Sequence, residues 1–278
     1  VYLTDTLDDP ESEVPMLGLW GDVAVLAQER AKASQVKKQQ PVTVIMGNPP
    51  YARRTSASGG GWVVHPAHGR PLFADVIETA QAVGVIFSAQ ASLYNDYVYF
   101  WRWALWKAFE QDPTRPAVVS FITGASWLDG PAFLGLRALA RELADEMWIV
   151  DLGGEGRGAN QDENVFAIQT PVAIVTLYRR GRTKRAPAAV HYRRVRGTAG
   201  EKLAAVRQVR SPSEQPDQWQ TLDVEPHAPL LPEAGDDTWS AMPALTDLFP
   251  WQQPGSKLNR AWPIAPSQQI LRQRWEEL

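Results

Sequence analysis

The run Val42-Thr43-Val44-Ile45-Met46, followed at once by Gly47-Asn48-Pro49-Pro50-Tyr51, constrains this chain more than any other stretch. A continuous β-branched and apolar run reads as a strand buried on both faces of a parallel sheet. The prolines stop it, because they fix φ and offer no N–H to a ladder. Asn48, as the residue before a proline, is held in extended geometry and aimed outward. Open parallel sheets hold their ligands at the carboxyl ends of strands. The tetrapeptide Asn48-Pro49-Pro50-Tyr51 stands in that place.

The rest of the chain reads as alternating helix and strand. Tyr2 to Leu7 reads as a short strand. Asp22 caps a helix through Val23, Leu26 and Ala27 toward Lys38. Helices follow over 74–82, 94–110 and 131–143, with strands over 117–122 and 147–152 between and after them. Val165–Ile168 and Val172–Tyr178 read as a β-hairpin, and Val190–Val195 as a further strand. The fold class is therefore α/β, a three-layer arrangement around a mixed sheet that closes with a hairpin. The boundaries are a catalytic domain over 1–185, an extension and connecting segment over 186–247, polar and Pro-rich from Glu214 to Asp237, and a Trp-bearing segment over 248–278. The chain opens on Val1-Tyr2-Leu3 rather than methionine and reads as a piece of a longer protein.

Composition narrows the partners. With a net charge of -3, a protein relying on diffuse phosphate attraction is not expected; any contact with DNA needs a local basic surface. The candidates are Arg179, Arg180, Arg182, Lys184 and Arg185, with Arg193, Arg194 and Arg196 nearby. There is no cysteine, which excludes disulfides and thiolate metal sites and is compatible with the cytoplasm. No apolar run is long enough to span a bilayer.

The tetrapeptide suits one chemistry well. An exocyclic amine on an aromatic ring, such as that of adenine, is a poor nucleophile because its lone pair is delocalised. Two acceptors gripping its hydrogens free that lone pair. The Asn48 side-chain oxygen offers one acceptor and the Pro49 carbonyl the other, held rigidly by Pro50, while Tyr51 can stack on the base. This is preorganised electrostatics and positioning without a covalent intermediate. A base in a duplex must first be flipped out, at a cost of a few kcal/mol.

These residues also carry a resemblance. Val44 to Tyr51 resembles motif IV of the gamma-type N6-adenine DNA methyltransferases. Tyr2-Leu3-Thr4-Asp5-Thr6-Leu7 resembles the motif before it, whose acidic residue touches the adenine ring of S-adenosylmethionine; Asp5 matches that residue. Leu93 to Tyr97 with Phe100 to Trp103 resembles the helix after the catalytic loop. Phe121-Ile122-Thr123 and the Arg137 helix resemble the next strand and helix. Asn164-Val165-Phe166 with Val172-Ala173-Ile174 resembles motif VIII, and Phe166 matches the aromatic that stacks on the flipped base. The order most resembles the methyltransferase part of type ISP restriction-modification enzymes. The resemblance implies a Rossmann-like S-adenosylmethionine-dependent fold and methyl transfer to adenine N6 in double-stranded DNA. It implies cofactor contacts at Asp5 and Gly47, and nuclease, helicase and target-recognition parts elsewhere on a larger chain, with residues 248–278 opening the last. The family's Gly-rich cofactor motif would lie before Val1. Two other readings stand beside it: a DNA-binding or assembly piece without turnover, and a methyltransferase acting on a protein or RNA nitrogen.

Other signals carry less. Gly153-Gly154-Glu155-Gly156-Arg157-Gly158 is not followed by the amphipathic helix a dinucleotide loop requires. Gly59-Gly60-Gly61 reads as a loop. His65 and His68 lack acidic or thiolate partners, so no metal is expected. The aromatic helix Tyr97–Trp106 reads as core, and Asp151 as a strand-end cap.

Overall fold

A six-stranded mixed sheet organises the chain. The computed structural model describes residues 2, 4–11, 21–52, 60–66, 69–85, 91–154, 162–181, 186–222, 225–232, 241–243, 245–249, 251 and 264–277. Two compact units divide the chain, Val1–Glu233 and Ala234–Leu278.

In the first unit the strands are β1 (Val44–Gly47), β2 (Pro116–Gly124), β3 (Glu146–Gly153), β4 (Val172–Arg180), β5 (Ala189–Arg194) and β6 (Gln220–Leu222). β1 and β2 are parallel, as are β3 and β5; β4 runs antiparallel between β2 and β3, and β6 antiparallel to β5. The helices are α1 (Asp22–Gln39), α2 (Gly61–Val64), α3 (Ala74–Ala82), α4 (Asp96–Leu105, continued by a π turn over Trp106–Glu110), α5 (Leu134–Leu143) and α6 (Ala199–Val206).

Strand alternation decides the layers. Ala117, Val119 and Phe121 of β2, Met147 and Ile149 of β3, and Ala173, Val175 and Leu177 of β4 share one core with α2 to α5. Trp101 of α4 seats there against Phe121 and Trp127 at 4.8 and 5.1 Å. Each such fully buried side chain contributes about 1.5–3 kcal/mol. Gly135 lets α5 approach α3, since a Cβ on it would stand 2.0 Å from the Val76 carbonyl oxygen. Arg102, buried on α4, bridges Asp75 at 2.8 Å and Glu110 at 3.0 Å. The opposite face carries a smaller core of Val150, Leu152, Val172, Val195 and Trp219, against which Ala205 and Val206 of α6 pack.

Several expectations need correction. The Val42–Met46 run does form a parallel strand, but β1 has β2 as its one neighbour among the described residues, and Val44 and Met46 are 54% and 75% exposed. Their pairing with Val118 and Ser120 puts them on the face opposite the main core. Val23 and Leu26 of α1 are exposed while Ala27 is buried, and the helix starts after Gly21 rather than at an Asp22 cap. Tyr2 and Thr4–Leu7 form no strand; Val1 and Leu3 lie outside the described residues. The hairpin of Val165–Ile168 with β4 does not form: both edges of β4 are taken by β2 and β3, so residues 165–170 have no ladder to join. The segment read as an extension supplies β5 and β6 to the same sheet.

The second unit holds α7 (Leu245–Leu248) and α8 (Gln268–Glu276). Ser267 caps α8 by accepting from the Ile270 N–H at 3.3 Å. Among the described residues no helix is long and apolar enough to cross a membrane.

Candidate active site at the strand ends

The register brings the carboxyl ends of three strands to one edge of the sheet. Gly47 of β1 stands beside Phe121 of β2, and Gly124 of β2 and Gly153 of β3 both stand beside Val172, where β4 begins. The described residues that leave these ends are the Asn48–Tyr51 loop, the turn after Gly124, and, beyond Gly154, residues 162–171, which carry Phe166.

In the first loop Asn48 and Pro50 are exposed and Pro49 is buried, so the buried ring anchors the turn while the amide faces out. The Tyr51 hydroxyl donates to Asn48 Oδ1 at 2.7 Å. Burial pushes the Tyr51 phenol up to about 12, which keeps it protonated and a donor near neutral pH. Its ring meets Tyr97 edge-on at 6.2 Å, and the Tyr97 hydroxyl bonds Ser126 Oγ at 3.1 Å. The loop is tied to α4 by the Asp96 N–H, which donates to the Ala52 carbonyl at 3.1 Å. Asn48 thus presents an amide whose oxygen is identified and oriented by a neighbouring hydroxyl.

The Phe166 loop is held differently. Asn164 Nδ2 donates to the Thr170 carbonyl at 2.8 Å and to the Gly154 carbonyl at 3.3 Å, while its Oδ1 accepts from the Phe166 N–H at 2.9 Å. Phe166 is left 36% exposed. The two loops share neighbours: a Cβ on Gly124 would touch both Tyr97 and Thr170, and the Ala125 N–H donates to the Pro171 carbonyl at 2.7 Å. Tyr51 and Val165 also pack against the same smaller core.

Asp151, set aside as a strand cap, is the centre of a buried polar group. Its carboxylate accepts from the Gly153 N–H at 2.9 Å, the Tyr192 hydroxyl at 2.6 Å and Arg194 Nη1 at 2.6 Å. Burial, reinforced by that carboxylate, pushes the Tyr192 phenol up. Arg194 also reaches Asp162 at 3.3 Å, and Asp162 pairs with Lys202 of α6 at 2.8 Å. Burial acts to raise the Asp162 carboxyl, but Lys202, Arg194 and the Gly154 N–H outweigh it and hold it below the ordinary value. Gly153, at φ 59°, takes a backbone conformation that residues with a side chain rarely adopt, and a Cβ there would press on the ends of Arg194 and Asp162.

The other expected residues are scattered. Asp5 is exposed; its Oδ1 accepts from its own loop's Leu7 N–H at 2.9 Å, and its carbonyl accepts from Lys37. Gly47 faces out, with ordinary van der Waals space for a Cβ against Phe121. Arg179 is not available to a phosphate: it is 4% exposed, and its guanidinium donates to the carbonyls of Phe109, Ala108, Asp112 and Arg115. Strand parity explains this, because Arg179 falls on the core face with Ala173, Val175 and Leu177. Arg180 points the other way and pairs with Glu146 at 2.7 Å. Arg182, Lys184 and Arg185 lie outside the described residues, as do Gly59, His68 and 155–158. Residues 162–171 form no helix. Among the described residues no three His, Cys, Asp or Glu side chains come together in a group able to hold a metal ion.

The first unit is thus a mixed α/β fold whose candidate site lies at the carboxyl ends of its strands. No protein-family model matches the sequence, and no curated protein does. Solved structures do share the fold. An ATP-dependent type ISP restriction-modification enzyme, LlaBIII, bound to DNA, is 24% identical with a TM-score of 0.61, the match covering 85% of this chain and 15% of that one. The DrdV–DNA complex is 22% identical with a TM-score of 0.59, over 81% of this chain and 21% of the other. A nuclease-deletion mutant of the type ISP enzyme LlaGI, in complex with a DNA substrate mimic, is 21% identical with a TM-score of 0.53, over 73% and 19%. At such identities the likeness is one of fold. The chain spans about a fifth or less of the length of these solved proteins.

Proposed function

We propose that this chain is the methyltransferase part of a restriction-modification enzyme, acting on the N6 amine of a flipped adenine in double-stranded DNA. The observation that carries the reading is Asn48, exposed at the end of β1 with its Oδ1 held by the Tyr51 hydroxyl. The likeness of fold to DNA-bound type ISP enzymes supports it.

Asn48 Oδ1 keeps a second lone pair beside the one Tyr51 occupies. That lone pair and the Pro49 carbonyl accept the two hydrogens of the amine and restore its nucleophilicity. Tyr51 keeps the amide from flipping, and Tyr51 and Phe166 stack on the base. S-adenosylmethionine supplies the electrophilic methyl group. Asp5, with an exposed carboxylate, and Gly47, a strand end with no side chain, suit an amino-bearing and close-lying ligand; both would hold part of the cofactor. Exposed Arg180, with Arg182, Lys184 and Arg185, would meet phosphates. In this reading residues 1–185 carry the catalytic residues and 248–278 open target recognition. The small share of the similar proteins that this chain spans favours a second reading, a DNA-binding or assembly part without turnover of its own.

The test is to incubate the chain with methyl-labelled S-adenosylmethionine and mixed-sequence duplex DNA, then digest the DNA to nucleosides. The label is expected in N6-methyl-2′-deoxyadenosine. Label in cytosine, or in protein or RNA instead of DNA, contradicts the reading. Binding of DNA and cofactor with no label transferred selects the second one.

A further inference from the structure

We infer that Lys202 of α6, far in sequence from the Asn-Pro-Pro-Tyr loop, is the positioning residue for Phe166. The inference rests on the reading of Phe166 as a surface for the flipped base.

A lysine side chain that is wholly buried needs partners, because its ammonium loses its water. Lys202 is 0% exposed, and all its partners lie at the root of the Phe166 loop. Its Nζ donates to the Leu152 carbonyl at 2.7 Å, where β3 ends, and to the Glu163 carbonyl at 2.5 Å, where the loop resumes, and it pairs with Asp162 at 2.8 Å. One ammonium therefore ties together the strand that enters the loop and the residues that precede Asn164-Val165-Phe166. Asp162 passes the restraint on through Arg194 to Asp151 and so to the sheet. From Glu163 the route to the aromatic is short: Asn164 fastens the loop across Gly154 and Thr170 and receives the Phe166 N–H.

The helix that carries Lys202 is itself fixed at its start. Thr198 and Glu201 form a reciprocal capping box. Ala205 and Val206 pack on the smaller core, as does Val165 beside Phe166. The arrangement costs the protein a buried charge, which nonpolar packing would avoid; a fixed loop geometry is what the charge secures here.

The test uses the full chain with 4-fluorophenylalanine at its 8 phenylalanines, the Phe166 signal being assigned with Phe166→Leu. Lys202→Met is expected to move or broaden the Phe166 fluorine resonance while those of the other phenylalanines stay. A general loss of packing would disturb them all. Stacking is read by quenching of 2-aminopurine deoxyriboside fluorescence. Quenching is expected with the parent chain, to be lost in Phe166→Ala, and to need about tenfold more protein in Lys202→Met. No quenching by the parent chain overturns the role of Phe166 and this inference with it. Quenching lost in Phe166→Ala but unchanged in Lys202→Met overturns the positioning role alone. If Lys202→Met does not fold, Asp162→Asn, nearly the same shape without the charge, is read in the same way. An unmoved Phe166 resonance in that variant contradicts the inference.

Discussion

The two loops that meet at the end of this sheet are held by opposite means. Residues 48–52 are held by uncharged contacts: a buried proline, an edge-on tyrosine pair and one hydroxyl–amide hydrogen bond. The Phe166 loop is pinned by Asp151, Arg194, Asp162 and Lys202, all drawn from other parts of the chain or from its root. An amide acceptor can be oriented by packing and a single hydroxyl, as Asn48 is by Tyr51. A loop that must hold an aromatic ring, with only bends and no ladder of its own, has to borrow its rigidity. The first is therefore expected to respond in chemistry when altered, and the second in stability, pH dependence and stacking.

The largest effect expected from this contrast is that of Lys202→Met. Removing the ammonium leaves Asp162 to Arg194 alone and strips the Leu152 and Glu163 carbonyls of their donor, at a cost of about 1–3 kcal/mol of unfolding free energy, read by denaturant titration. A loss below about 1 kcal/mol would mean the network is slack. Next is Tyr51→Phe, which removes the hydroxyl that orients Asn48. A fall of about tenfold in methyl transfer is expected, with a stability change of about 1 kcal/mol or less. Equal losses in both would erase the distinction between the loops.

Acid separates them further. The Asp162 carboxyl lies below its ordinary value in the folded chain, so its contribution to stability is fully present above the unfolded value of about 3.9. It is lost as pH falls through the folded value, because protonation then favours the unfolded chain. Below about pH 4, unfolding stability is expected to fall more steeply with acid in the parent than in Asp162→Asn. The smallest effect belongs to Arg180→Ala. Its exposed pair with Glu146 adds no measurable stability, and DNA binding is expected to weaken with a salt slope lower by about one unit.

How far the sequence disclosed this differs along the chain. Gly47 to Tyr51 announced both the strand and its end, because prolines and an apolar run leave few alternatives. The same run could not tell an edge strand from an inner one, since the exposure of Val44 and Met46 depends on what lies beside them. Val165–Ile168 has strand composition, but β4 had no free edge to offer it. Period-two alternation through β4 already separates Arg179 from Arg180, and reading that alternation one residue further would have placed Arg179 in the core. The same parity sets Asp151 with Met147 and Ile149 on the inner face. Lys202 gave no such sign. The Thr198–Glu201 capping box marks the helix, but a lone lysine in an Ala-bearing helix reads as solvated, and only the tertiary fold brings it to Asp162.

The central claim is that Asn48 Oδ1 grips the amine that is methylated. Its direct test is a single-turnover comparison of the parent chain with Asn48→Ala, at saturating S-adenosylmethionine and duplex DNA, with cofactor affinity measured alongside. A fall of about 10²–10³-fold in the rate of adenine methylation, with cofactor binding and unfolding midpoint unchanged, is the expected result. An undiminished rate in Asn48→Ala would contradict it.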